Sequence, residues 1–273
     1  MTLRAIQAIR MVSQDGESLA RFYSAIGFAV EAAQDIPVED LARLDLEGHG
    51  LRWTMRLGDQ RVEIDQYEQS GAAYPANADS AAPCFQHFAM VTTQIDKDWQ
   101  RVLDAGAVPI SDKGPVRLPA SSGGVTAVKF RDPDGHPIEL LQFPDPADHG
   151  WDGDGTLGID HSAISTDDLA ETLRFFEAHG LCCSGGSHNR GPEQDALDGL
   201  TGADAQVRSL APGNTTPHLE LLAYTRSLQS QPYGGAVNDV ASTRIVWESS
   251  GAARLLRDPS GHWHELLGGR LKA

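Results

Sequence analysis

Polar residues stand alone in apolar runs at regular places along this chain. His87 interrupts Phe85-Gln86-His87-Phe88-Ala89-Met90-Val91, and Glu139 interrupts Pro137-Ile138-Glu139-Leu140-Leu141. Both runs read as buried strands, and burying an unpaired polar group costs roughly 2–7 kcal/mol. Each residue therefore requires a ligand or a hydrogen-bond partner. The same pattern recurs: Gln7 and His161 open strand-like runs like that of His87, with spacings of 80 and 74 residues. Periods of this kind signal a repeated unit.

After each of these strands comes a helical stripe that ends in glycine. The first carries Leu19, Phe22, Tyr23 and Ile26 before Gly27, and the second Ile95, Trp99, Val102 and Leu103 before Gly106. In the third, Asp168 and Glu171 read as a capping box ahead of Leu169, Leu173 and Phe176, and Gly180 follows. Each unit closes on a strand with a glutamate: Glu63, Glu139 and Glu220. Short β-branched runs and Gly/Asp/Pro turns between helix and final strand leave room for two more strands, so the unit is βαβββ. A fourth copy is shortened. Thr243 stands where His87 would, Asp258-Pro259-Ser260-Gly261-His262 repeats the turn Asp132-Pro133-Asp134-Gly135-His136, and Glu265 follows Thr243 by 22 residues, too few for a helix.

The expected fold is α+β: four βαβββ modules, the last without its helix, forming two curved-sheet domains. The links 69–83, 144–158 and 225–239 are too long for hairpins. Proline, glycine and acidic residues cluster in the second, which divides the chain into 1–146 and 156–273. Two pairings of modules satisfy the pattern. Neighbours could pair, bringing Gln7 and Glu63 to His87 and Glu139. Alternatively the middle modules pair, bringing His87 and Glu139 to His161 and Glu220, with Gln7, Glu63, Thr243 and Glu265 left to the outer pair.

Alternation along a strand turns each of these polar residues to one face of its sheet. Imidazole nitrogen with carboxylate or amide oxygen suits a divalent metal such as Zn, Ni, Co, Mn or Fe(II). The metal set is thus His87, Glu139, Gln7, Glu63, His161 and Glu220, with Glu139 or Glu63 as general base. His218 shares the face of Glu220 and is a candidate substrate contact. His136 and His262 fall on the opposite face from the glutamates three residues on and read as turn or surface residues. The stretches 113–124 and 187–194, and Tyr74, are candidate cavity rims.

Composition narrows the partners. The 273 residues carry a formal charge of −16 without a basic cluster, which argues against nucleic acid and anionic membranes. No apolar run approaches the ~18 residues of a membrane span, and the chain starts without a signal-like segment. A cytoplasmic protein with a small-molecule substrate is expected, and a homodimer is left open. Three cysteines without metal-site spacing, Cys84, Cys182 and Cys183, read as buried thiols in a reducing compartment.

The tandem βαβββ units, the strand-borne His and Glu, the helix end Phe22-Tyr23-Ser24-Ala25-Ile26-Gly27-Phe28 and the Asp132-Pro133-Asp134-Gly135-His136 turn resemble the vicinal oxygen chelate superfamily over roughly residues 3–267. That resemblance implies a metal-dependent lyase or isomerase of the glyoxalase type, acting through an enediolate on a substrate that chelates with adjacent oxygens. It also admits a metal-free binding protein of the bleomycin-resistance type and an Fe(II) ring-cleaving dioxygenase.

Overall fold

The computed structural model describes residues 1–211, 216–225 and 233–268. Its elements follow the repeat. Module 1 comprises β1 (Leu3–Val12), α1 (Gly16–Ala25), β2 (Ala29–Asp35), a short α2 (Val38–Arg43), β3 (Gly50–Leu57) and β4 (Gln60–Tyr67). Module 2 has β5 (Gln86–Thr92), α3 (Ile95–Asp104), the two-residue strands β6 (Val108–Pro109) and β7 (Val116–Arg117), then β8 (Thr126–Arg131) and β9 (Pro137–Gln142). Module 3 has β10 (Thr156–Ser165), α4 (Leu169–Ala178), β11 (Cys182–Arg190), α5 (Pro192–Asp198), β12 (Asp204–Ala211) and β13 (His218–Tyr224). Among the described residues, module 4 has β14 (Arg244–Ser249), β15 (Arg254–Arg257) and β16 (Trp263–Gly268), with no helix between β14 and β15. Asp168 accepts from the Glu171 amide at the start of α4, so the N-cap lies where the sequence indicates.

The sheets pair the middle modules with each other and the outer modules with each other. One sheet runs β11-β12-β13-β10-β5-β9-β8-β6, joined by antiparallel β5 and β10; the other runs β15-β16-β14-β1-β4-β3-β2, joined by antiparallel β1 and β14. The apolar cores divide differently. Ile9, Met11, Tyr23 and Ile64 of module 1 pack with Phe88, Met90, Phe130 and Leu140 of module 2, whereas Phe176 and Leu221 of module 3 pack with Trp247 and Leu266 of module 4. The two main cores thus group modules 1 with 2 and 3 with 4, save for residues of β1 and β10, whereas the sheets group them otherwise. Each sheet, and each cavity on it, is built from both halves of the chain.

β1 and β10 reconcile the two groupings. Leu3 and Ile6 of β1 lie in the second core but Ile9 and Met11 in the first; Ile159 and Ile164 of β10 are divided likewise. Each strand has a register shift midway, between Ile6 and Ala8 and between Ile159 and His161. A bulge inserts one residue and locally resets which side chains face which way. Gln7 and Asp160 are the inserted residues.

His136 and His262 lie in the two Asp-Pro-x-Gly-His turns, as expected, but are buried rather than at the surface, each 2% exposed. Positive φ at Gly135 and Gly261 permits the tight turn. His136 bonds Asp132 through Nδ1 (2.8 Å) and the Val240 carbonyl through Nε2 (3.1 Å), and His262 Nε2 bonds the Ser165 carbonyl (2.9 Å). The turns thereby tie module 2 to the approach to module 4, and module 4 to module 3. Burial disfavours a charge on His136, but Asp132 outweighs it and raises the ring above its ordinary 6.5. A raised folded value means that its stabilising share is complete below about pH 6.5 and is lost as pH rises through that value. His136→Ala should lower the urea midpoint by an amount equivalent to roughly 1–3 kcal/mol. The gap between wild type and variant should narrow from pH 6 toward pH 9; a gap that widens with pH would contradict the assignment.

Candidate metal centre

The concave face of the middle-module sheet collects four polar side chains from four strands. In β5, Phe88 and Met90 enter the core, so His87 and Ala89 face the concavity; in β9, Ile138 and Leu140 enter the core, so Glu139 faces the concavity with Leu141. In β13, Leu219 and Leu221 are core, which turns Glu220 and Leu222 inward. His161 is brought there by β10. Ala89 pairs with Glu139 and Ala163 with Glu220, and each histidine stands two residues before the paired alanine. The two half-sites are therefore equivalent in register.

Ligand atoms of His87, Glu139 and His161 lie within 4.8 Å of one another. His87 Nε2 is 3.2 Å from Glu139 Oε2, His161 Nε2 is 3.7 Å from Glu220 Oε2, and the two imidazoles are 5.6 Å apart between centroids. His87 is 3% exposed, yet neither of its ring nitrogens has a hydrogen-bond partner; Nε2 meets Glu139 at ion-pair distance only. An orphaned buried imidazole beside two carboxylates and a second imidazole is the donor set that a borderline divalent cation takes. The residues fit a metal.

The charges around the centre are uneven. Burial, with the Lys129 ammonium nearby, pushes His87 down to about 4, so its ring is neutral and retains a lone pair. Burial also opposes a charge on His161, but Glu220 and Asp160 outweigh it and raise the ring to about 9. Glu139 is held below the ordinary carboxylate value against its burial by His87 and Lys129, and Glu220 by His161 and His218. Ser209 donates to Glu220 Oε1 at 2.9 Å and His218 Nε2 lies 3.4 Å from the same oxygen, so Glu220 is anchored at one end.

Above the four residues is a cavity of about 210 Å³ whose walls include Leu118, Val125, Leu141, Phe143 and Val207. Ser122 and Asn189, bonded to each other at 2.8 Å, and Ser187 and Gln194 form part of the lining, so each of the two stretches picked as rims contributes residues to it. Tyr74 does not cover it; its ring packs under Arg131 and against Gly135. His218 lies across the strand pair from His161 and contacts Glu220 but is not among the wall residues.

Sequence reasoning missed Lys129 and α5. Lys129, 3% exposed, bonds Asp198 of α5 at 2.7 Å, and its Nζ is 3.8 Å from Glu139 Oε2. Asp198 also accepts from Gln194 and Tyr224, which fixes the short helix over the cavity. Only the lone cation in Val128-Lys129-Phe130 could have signalled it.

The outer-module sheet brings Glu63 and Glu265 together, but not as a metal centre. Register places Arg244 where module 2 has His87, and Ala8 where module 3 has His161, because Val246 pairs with Glu265 and Arg10 with Glu63. Gln7 is the bulge residue, exposed and one place off; Thr243 is likewise one place off. Arginines fill the concavity. Arg10 bonds Glu63 (2.7 Å) and Glu265, while Asp65 takes Arg52 at 2.6 and 2.9 Å, Arg244 at 2.8 Å and the Tyr67 hydroxyl at 2.8 Å. Glu63 and Gln7 therefore lie in a different sheet from His87 and Glu139. Cys84 is buried as expected, but Cys182 and Cys183 are exposed on edge strand β11.

Two curved sheets, each assembled from two modules of one repeat, with His and Glu side chains gathered in the concavity of one of them, define the class of fold. The sequence profile of the Glyoxalase/Bleomycin resistance protein/Dioxygenase superfamily matches residues 5–140. In structure the chain is similar to glyoxalase I from Zea mays, with 16% identity over 97% of this chain and 92% of that one and a TM-score of 0.62, or 0.65 for a point variant of the same enzyme. It is also similar to a putative dioxygenase from Bacillus subtilis, with 11% identity, 98% and 86% coverage and a TM-score of 0.57. No protein of curated function matches the sequence. The chain belongs to the glyoxalase/bleomycin resistance/dioxygenase superfamily. Among the described residues, no helix is long and apolar enough to cross a membrane.

Proposed function

We propose that this protein is a divalent-metal-dependent lyase or isomerase of the glyoxalase type, acting on a small substrate with adjacent oxygens. One observation carries the reading: the ligand atoms of His87, Glu139 and His161 converge within 4.8 Å, around an imidazole with no other partner. His87, Glu139, His161 and Glu220 would hold the metal. When bound, it supplies Lewis acidity that polarises the substrate oxygens and acidifies the neighbouring C–H.

The protein's own residues supply the rest. Glu220 is anchored by Ser209 and serves as a fixed donor. Glu139 is held by charge rather than by a fixed hydroxyl, so it is the group that takes a proton from the substrate carbon and returns it to the adjacent one. His87 and Lys129 keep Glu139 ionised, and Leu118, Val125, Leu141, Phe143 and Val207 give the cavity an apolar side against which a small substrate can pack.

The Zn, Ni, Co, Mn and Fe(II) forms should be assayed with a hemithioacetal of a 2-oxoaldehyde and a thiol. Isomerisation lost on adding EDTA and restored by metal is expected, with Gln7→Ala unaffected. Wild-type protein that takes up no metal would overturn the proposal and leave the metal-free binding class. A second reading rests on the fact that His87, His161 and Glu139 alone make the two-histidine, one-carboxylate set of Fe(II) oxygenases. Ring cleavage of a catechol with Fe(II) and oxygen, without hemithioacetal turnover, would establish it instead.

A further inference from the structure

Asp160 and His161 are consecutive in β10, and consecutive strand residues ordinarily point to opposite faces. Here they do not: His161 Nδ1 lies 2.9 Å from Asp160 Oδ2. The reason is the bulge. Ile159 pairs with Met90 and His161 with Ala89, so Asp160 is the extra residue, released from the alternation. Ala8, the module 1 counterpart of His161, follows a bulge residue too, but there the insert is Gln7, exposed and beside no imidazole.

We infer that Asp160 is a positioning residue that fixes His161 as its Nδ1–H tautomer and so presents Nε2, lone pair outward, to the centre. The distances decide the tautomer. Nδ1 has an acceptor at 2.9 Å in hydrogen-bonding geometry, whereas the nearest carboxylate to Nε2, Glu220, is 3.7 Å away. Asp160 is also 3.9 Å from His218 Nδ1, too far to compete for the same oxygen. His87 has no such partner at Nδ1. The two histidines are therefore unequal: His161 is pre-set at Nδ1, whereas His87 has Glu139 beside its Nε2 and no partner at Nδ1. Carboxylates that bond the far nitrogen of a ligating histidine typically contribute 10–100-fold to metal affinity.

This inference rests on the metal-centre reading above, and its test separates the two. Asp160→Ala and Asp160→Asn are compared with wild type, the asparagine keeping an acceptor for Nδ1–H without the charge. The ¹⁵N shifts of the His161 ring are read on metal-free protein over a pH series, and the tautomer is taken at the alkaline end, where the shifts themselves show a neutral ring. Wild type and Asp160→Asn should show the proton on Nδ1, and Asp160→Ala a mixture of tautomers. Equilibrium dialysis against Ni²⁺ should show binding by Asp160→Ala weakened about 10–100-fold and by Asp160→Asn much less. An unchanged tautomer in Asp160→Ala overturns the inference whether or not metal binds; Ni²⁺ affinity within threefold of wild type in that variant does so as well. No Ni²⁺ uptake by wild type, with the tautomer shift as expected, overturns the metal reading while the positioning role stands.

Discussion

Asp65→Ala should destabilise the protein by about 3–5 kcal/mol, the cost of removing one partner from a buried ion cluster. Asp65 is fully buried and is the hub of the outer-module concavity, holding Arg52 through both oxygens, Arg244 and the Tyr67 hydroxyl, with Arg10 at 4.0 Å. Without it, Arg52 and Arg244, buried themselves, lose their hydrogen bonds to Asp65, and of their ion pairs Arg52 keeps Asp40 at 3.1 Å and Arg244 keeps Glu265 at 3.6 Å. A loss of that size is a large fraction of the ~5–15 kcal/mol that holds a domain folded. The variant should be measured by urea unfolding against wild type across pH. Burial opposes the charge on Asp65, but Arg52 and Arg10 outweigh it and lower its pKa from 3.8 to about 2. Its contribution is thus complete above about pH 4 and is lost as pH falls through about 2, so the difference between the proteins should shrink over that window. A difference under 1 kcal/mol at neutral pH would mean that the arginines are satisfied without it.

His87→Ala should lower divalent-metal affinity by at least about 100-fold, more than the loss typical of a residue that only supports a ligand. The substitution removes a donor already held neutral by burial and takes away one of three ligand atoms that converge within 4.8 Å. Elemental analysis of dialysed protein reads the effect, with Gln7→Ala as the comparison because Gln7 lies on the other sheet. Stoichiometric metal in wild type and Gln7→Ala, and its loss from His87→Ala, is the expected pattern. Equal metal in His87→Ala and wild type would remove His87 from the centre.

The predicted elements and the observed ones differ most where a strand is irregular. Regular alternation made His87, Glu139 and Glu220 legible, because a polar residue flanked by Phe, Ile or Leu in a strand must face something other than the core. Gln7 and Thr243 were misplaced by one residue. Gln7 occupies a bulge, which has no sequence signature in Ala-Ile-Gln-Ala-Ile, and the register of β14 is set by β16 and β1 rather than by its own residues. The burial of His136 and His262 was hidden for a similar reason: their acceptors, Val240 and Ser165, are 104 and 97 residues away.

By itself, then, the sequence determined the module, its fourfold recurrence, the missing helix and three of the four residues at the centre with their inward facing, since these follow from periodicities within one strand or helix. His161 was named by the repeat, but its route to the cavity depends on a bulge. The tertiary structure decided which modules share a sheet, and with that which polar residues meet. It also decided that one concavity keeps His and Glu beneath an open cavity while the other is closed by arginines. Such outcomes depend on pairing between strands some 75 to 250 residues apart, β5 with β10 and β1 with β14, whose edges offer the same backbone groups to any partner. The choice between partners is made by how the two cores close around β1 and β10, a property of the folded chain as a whole.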